Sequence, residues 1–205
     1  MNSGAERIRN IVLSLRNFAR LDESKTKVVN LHDGLESTLM VLQSRLKSQR
    51  HRPDIKIIKF YGDIPQVNCY PSELNQVFLN LFNNAIDALD NNGDSPVHSG
   101  SNNSPTITLT TAAKGKNTII IEIKDNGIGM SPTISNRIFD PFFSTKPVGS
   151  GTGLGLSMSY QIIVEKHQGK IYCQSQLGQG TTFTIELPLS LNPVRHLSLK
   201  NHETS

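Results

Sequence analysis

Asp125-Asn126-Gly127-Ile128-Gly129-Met130 decides how this chain is read. The stretch follows a β-branched run at residues 118–124, so the carboxylate of Asp125 stands where a strand ends. Gly127 and Gly129 give the turn beyond it access to the positive φ that other residues avoid. A carboxylate in that place can accept a hydrogen bond from the exocyclic amine of adenine. Guanine presents a carbonyl oxygen there, so its binding would leave two acceptors facing each other. Asp-Asn-Gly is also a common turn, and the motifs on either side separate the two readings.

Working outward, residues 106–112 and 118–124 predict an antiparallel hairpin turning at Lys114-Gly115-Lys116, and residues 170–175 with 181–187 predict a closing strand pair. Leu31, Leu35, Leu39, Leu42 and Leu46 form a helical stripe that ends near Pro53, followed by a strand at 55–60. A helix from 72 to about 89, with Ser72 as N-cap, buries Leu74, Val77, Phe78, Leu81 and Ala85. Another helix is expected at 153–167, and a surface loop rich in Asn, Ser, Gly and Pro at 90–105. Together these predict an α+β domain, a mixed sheet with helices on one face.

Asn80-Leu81-Phe82-Asn83-Asn84-Ala85 lies on the helix from 72, where Glu73, Gln76, Asn80, Asn84 and Asp87 share one stripe. Asn80 and Asn84 stand one turn apart, so both amide oxygens can approach one hard cation, and magnesium prefers oxygen ligands.

Downstream, Phe139-Asp140-Pro141-Phe142-Phe143 precedes a Pro- and Gly-containing segment at 144–150 that reads as a lid, latched by Phe142 or Phe143. Lys146 within it can meet terminal phosphates as a point charge. Gly149-Ser150-Gly151-Thr152-Gly153-Leu154-Gly155-Leu156 then runs straight into a helix, where backbone N–H groups and the positive helix end face a phosphate. No Gly-x-x-x-x-Gly-Lys-Ser/Thr run occurs, which excludes a P-loop enzyme. Gly178-Gln179-Gly180-Thr181-Thr182-Phe183 is the last glycine cluster.

In this order and spacing, the motifs resemble the ATP-binding domain of sensor histidine kinases, within the ATPase superfamily shared with DNA gyrase and a heat-shock chaperone. The resemblance covers about residues 31–189 and implies the two-layer α/β sandwich called the Bergerat fold, with ATP and Mg2+ as cofactors. It implies that Asn80 and Asn84 hold the magnesium and that Asn80 and Lys146 act in catalysis. It makes Asp125 the adenine-recognising aspartate. Asp87, Gly127, Gly129, Phe142, Gly151, Thr152, Gly153, Leu154 and Gly155 would surround the nucleotide, with Thr181 touching the adenine side through its hydroxyl.

ATPase members of the superfamily carry a water-activating glutamate four residues before the second asparagine. Here Asn80 takes that place and is no usable base at neutral pH. The substitution favours phosphoryl transfer to a protein nucleophile over hydrolysis. It also argues against serine kinases of the anti-sigma-factor type, which carry the glutamate.

Ile8, Ile11, Leu15 and Phe18 alternate three and four apart, with Arg7, Arg9, Arg16 and Arg20 around them, and predict a helix at 5–21 that needs a partner. By resemblance it is the second helix of a dimerisation hairpin. The expected organisation is therefore this helix in 1–24, the catalytic domain in 25–189 and a flexible tail in 190–205. A phosphoacceptor histidine should sit in a His-Glu/Asp box followed by a proline. His32-Asp33 continues with Gly34 and lacks the proline, and His51, His98, His167, His196 and His202 lack the box. The acceptor is thus expected on a dimerisation domain outside this sequence. The other implied partners are a response regulator receiver domain and a second copy of the chain through the N-terminal helix.

The net charge of +4 and pI near 9.1 suit a polyanionic ligand, but Lys and Arg are interspersed with acids, which argues against nucleic acid. Cys69 and Cys173 stand too far apart for a local metal knuckle or redox pair. No apolar run approaches the roughly 20 residues that span a bilayer. The expected location is cytoplasmic, compatible with a membrane-anchored parent. The alternative function is a non-enzymatic ATP/ADP-binding regulatory module of the same fold.

Overall fold

The computed structural model describes residues 25–49, 52–90, 104–146 and 153–191. In chain order these form β1 (Lys27–Val29), α1 (Leu31–Val41), α2 (Gln43–Leu46), β2 (Lys56–Tyr61), β3 (Val67–Cys69), α3 (Pro71–Asp90), β4 (Thr106–Lys114), β5 (Thr118–Asp125), α4 (Pro132–Ser135), α5 (Gly155–Tyr160), a π-helical continuation (Gln161–Lys166), β6 (Lys170–Gln176) and β7 (Gly180–Pro188). The helix expected at 5–21, and nearly all of the tail, lie outside the described residues.

Alternation of buried and half-buried positions along β4 and β5 shows a sheet with one covered face, the pattern of antiparallel strands. The five strands are ordered β2-β4-β5-β7-β6, with β2 parallel to β4 and every other pair antiparallel. Ile107, Leu109, Ile119, Ile121, Ile123, Phe183, Ile185 and Leu187 meet Leu74, Val77, Phe78, Leu81, Phe82, Ala85, Ile86 and Leu89 of α3, all at most 3% exposed. At roughly 1.5–3 kcal/mol for each large apolar side chain, this layer contact is the main source of stability. The expected mixed sheet with helices on one face is what forms.

The elements differ from expectation in detail. α3 begins at Pro71, where a missing N–H removes nothing the first turn needs, so Ser72 lies inside the helix instead of capping it. The leucine stripe is split at Leu42, whose φ of −84° and ψ of 2° divide α1 from the short α2. β1 and β3, an antiparallel pair of three residues each, were too short to show a period. The helix expected at 153–167 starts at Gly155 and widens into a π turn, where the N–H of His167 reaches back five residues to the Ile162 carbonyl at 3.1 Å. His32 sits in the first turn of α1, stacked on Tyr61 at 4.3 Å, with Nε2 against Thr111 Oγ1 at 2.9 Å.

Candidate functional site

Asp125 ends β5 beneath the turn of its own motif and is only 2% exposed. Its Oδ1 accepts from the N–H groups of Gly127, at 2.9 Å, and Thr181, at 3.3 Å, while Oδ2 takes neither bond. Burial disfavours the charged form and pushes its pKa up to about 6, against the backbone N–H groups of Gly127, Thr181 and Asp125 itself, which pull it down. Thr181 stands opposite Asp125 in the β5–β7 register, and its Oγ1 lies 2.9 Å from Ser175 Oγ. One carboxylate oxygen is fixed by the sheet and the other is left for a donor.

Of the two motif glycines only Gly129 takes the expected positive φ, and both are required by contacts within the protein. A Cβ on Gly127 would lie 2.8 Å from the backbone of Ala88 in α3, and one on Gly129, at φ +65°, would lie 2.0 Å from the Gln176 carbonyl oxygen. The loop is therefore wedged between α3 and the β6–β7 turn, where Gly178 also donates to Ile128 O at 2.8 Å. The glycines thus allow a close approach to the chain's own backbone.

α5 lies across the middle of α3. Asn80 Nδ2 donates to Gly155 O at 2.9 Å and to Ser159 Oγ at 3.3 Å, which commits the amide nitrogen and leaves Oδ1 as the atom free for a cation. Lys166 Nζ meets Glu73 Oε1 at 2.6 Å, so the first half of the polar stripe on α3 faces the α5 layer. Asn84 and Asp87, one and two turns further on, are half-buried beyond that contact. Leu154 forms the N-cap of α5, and a Cβ at Gly155 would stand in ordinary van der Waals contact with the Asn80 side chain, 3.5 Å away.

Phe142 has φ +64° and is 77% exposed, so its ring does not latch onto the domain. Phe143 packs against the core instead, with Arg137 over its ring at 4.6 Å. The backbone of Phe142 abuts Gly153, where a Cβ would come within 2.5 Å. Lys146 Nζ bonds Asp87 Oδ2, and Asp87 Oδ1 accepts from Arg45 Nη2 at 2.7 Å. Gly151, Thr152 and residues 147–150 of the expected lid lie outside the described residues. Arg45 and Ser159 were missed by sequence reading. Neither belongs to a motif, and only tertiary contact brings them to α3.

The family described as Histidine kinase-, DNA gyrase B-, and HSP90-like ATPase matches residues 69–191, more than half of the chain. The chain belongs to this ATPase family. Within it, the sequence is 37% identical over 72% of its length to Sporulation kinase E of Bacillus subtilis (strain 168), and 35% identical over 92% to Sensor kinase CckA of Brucella abortus (strain 2308). It spans 18% and 20% of the length of those two relatives. The nucleotide-free catalytic domain of histidine kinase ThkA shares the fold, with a TM-score of 0.65 at 24% identity over 81% of this chain and 97% of that one. Full-length ShkA in complex with AMPPNP aligns at a TM-score of 0.66 and 22% identity over 92% of this chain and 37% of that one. The sandwich is thus that of histidine kinase catalytic domains, the Bergerat fold. Among the described residues of this ATPase-family chain, no helix is long and apolar enough to cross a membrane.

Proposed function

We propose that residues 25–189 are the ATP-binding catalytic domain of a sensor histidine kinase, which positions Mg2+-ATP for transfer of its γ-phosphoryl group to a histidine on a dimerisation domain. The observation that carries the reading is the buried carboxylate of Asp125, with Oδ1 held by two backbone donors and Oδ2 left to accept the adenine amine. The donor set fits the nucleotide's metal: Asn80 Oδ1 is an oxygen on an amide anchored by α5, and Asn84 lies one turn away. A magnesium ion so held would neutralise phosphate charge. Asn80 and Asn84 fix its position, Lys146 adds a cation, and Thr181 orders the adenine end. Gly151 to Gly155 would line the phosphates, and Phe142 would border them.

The chain holds no charged base in the place of Asn80, so its part in the reaction is positioning and charge stabilisation. The nucleophile and its proton acceptor come from outside. Partners follow from this role: a dimerisation domain carrying the histidine, a second copy through residues 1–24, and a response regulator receiver domain. Support for the last is the solved complex of histidine kinase ThkA with response regulator protein TrrA, whose kinase aligns at a TM-score of 0.60. The work would take place in the cytoplasm.

Calorimetric titration with ATP and GTP, with and without magnesium, tests the pocket. Magnesium-dependent ATP binding with GTP rejected is expected. Incubation with a separate dimerisation domain should then yield phosphohistidine on that domain; tight binding without transfer would instead support the regulatory module.

A further inference from the structure

Asp87 presents a difficulty for a phosphate site. It lies on α3 three residues past Asn84, and a bare carboxylate there would repel the triphosphate that the proposed function puts beside it. Both of its oxygens are engaged, Oδ2 by Lys146 Nζ and Oδ1 by Arg45 Nη2 at 2.7 Å. The two cations differ in how they are held. Lys146 reaches Asp87 from a loop on a flexible stem. Arg45 is forked across α3: Nη1 donates to Asn83 Oδ1 at 2.6 Å, and Nη2 also lies 3.5 Å from Asp90 Oδ2.

The backbone behind Arg45 is pinned as well. Arg52, 8% exposed, donates to the carbonyl of Arg45 and, at 3.0 Å each, to those of Lys47 and Pro53, while its Nε bonds Asp90. Arg45 is therefore a preset cation, held at its guanidinium by α3 and at its carbonyl by Arg52. If Lys146 leaves Asp87 for a phosphate oxygen, Asp87 remains neutralised by Arg45. Without Arg45, Asp87 must either keep Lys146 or stand uncompensated next to the phosphates.

We propose that Arg45 is a positioning residue for the nucleotide phosphates, acting through Asp87, which it neutralises so that Lys146 is released to the ligand. The inference rests on the ATP-binding reading above. The test is calorimetric titration of the 205-residue chain with ATP and with adenosine, which has the base but no phosphates. Arg45→Gln should weaken ATP binding by about tenfold and change adenosine binding by less than about twofold. Arg45→Lys, which keeps the charge, should recover part of the loss. Arg45→Gln with Asp87→Asn, which removes the anion as well, should recover most of it. Unchanged ATP affinity in Arg45→Gln, equal losses for adenosine and ATP, or no recovery in the double variant would each overturn the proposal. Failure of the unsubstituted chain to bind either ligand would instead sink the ATP-binding reading, and this inference with it.

Discussion

Asn80 Nδ2 donates to the carbonyl oxygen of Gly155 at 2.9 Å, joining the asparagine helix to the helix that follows the glycine run. The two asparagines that look equivalent in sequence therefore have different duties. Asn80 bonds across the α3–α5 interface, whereas among the described residues no hydrogen bond joins Asn84 to α5. Asn80→Ala should lower stability by about 1–2 kcal/mol, from two lost hydrogen bonds, and weaken ATP binding as well. Asn84→Ala should leave the melting temperature nearly unchanged and remove the magnesium dependence of ATP binding. Thermal melts beside magnesium-dependent titrations check both; an Asn84→Ala protein that still gains ATP affinity from magnesium would show that Asn84 is no ligand.

Asp125 is held as a strained anion above its pKa of about 6. Its folded pKa exceeds the ordinary 3.8, so the folded state binds the proton more tightly than the unfolded chain, and the burial penalty grows as pH rises from about 4 to 6. At about 1.4 kcal/mol per pKa unit the penalty is on the order of 3 kcal/mol at neutral pH. Asp125→Asn should raise the ligand-free melting temperature at pH 7.5, lose that advantage near pH 4, and weaken ATP binding at least about tenfold through the lost acceptor. Unchanged ATP affinity would exclude Asp125 from adenine recognition.

His167 is a buried structural histidine whose neutral form has both nitrogens in use. Nδ1 donates to Ile162 O at 2.7 Å and Nε2 accepts from the N–H of Tyr70 at 3.1 Å, at the start of α3. Burial lowers its pKa below the ordinary 6.5, so stability is full above 6.5 and declines as the pH falls below it. His167→Ala should cost about 2–3 kcal/mol, because Tyr70 N–H loses its partner and a cavity opens. Denaturant melts between pH 5.5 and 8 should show that the variant lacks this acid-side decline.

Gly180 and Gly115 both adopt positive φ, +89° and +65°, but only Gly180 is crowded: a Cβ there would stand 2.1 Å from Asp125 O, while at Gly115 nothing lies within 4 Å. Gly115→Ala should cost about 1–2 kcal/mol, the conformational term alone, with ATP affinity intact. Gly180→Ala should cost more and weaken ATP binding too, because β7 and Asp125 must move apart. Equal effects of the two substitutions on ATP affinity would contradict this.

Much of the architecture is legible along the chain because its signals are local. The alternation at residues 106–112 and 118–124, and the apolar face of residues 74–89, each declare a period and a buried side without reference to anything distant. β1 and β3 carry no such signal, since three residues cannot show a period, and they form by pairing with segments far along the chain, β1 with β3 and Asn68 N–H with Leu189 O. The split at Leu42 was equally hidden, because the leucine spacing continues through it unchanged.

The site divides in the same way. By itself, the sequence determined which residue types occur at which spacing: a carboxylate after a strand, glycines that tolerate positive φ, paired amides one helical turn apart. Those follow from covalent geometry and helical and strand repeats, which act over a few residues. Only the tertiary structure decided that Asp125 Oδ1 is occupied by Thr181 N–H, that Phe143 and not Phe142 packs against the core, and that Asp87 lies between Arg45 and Lys146. Hydrogen bonds, ion pairs and buried contacts depend on distances between segments far apart in the chain, and those distances are set by the packing of α3 against the sheet and α5.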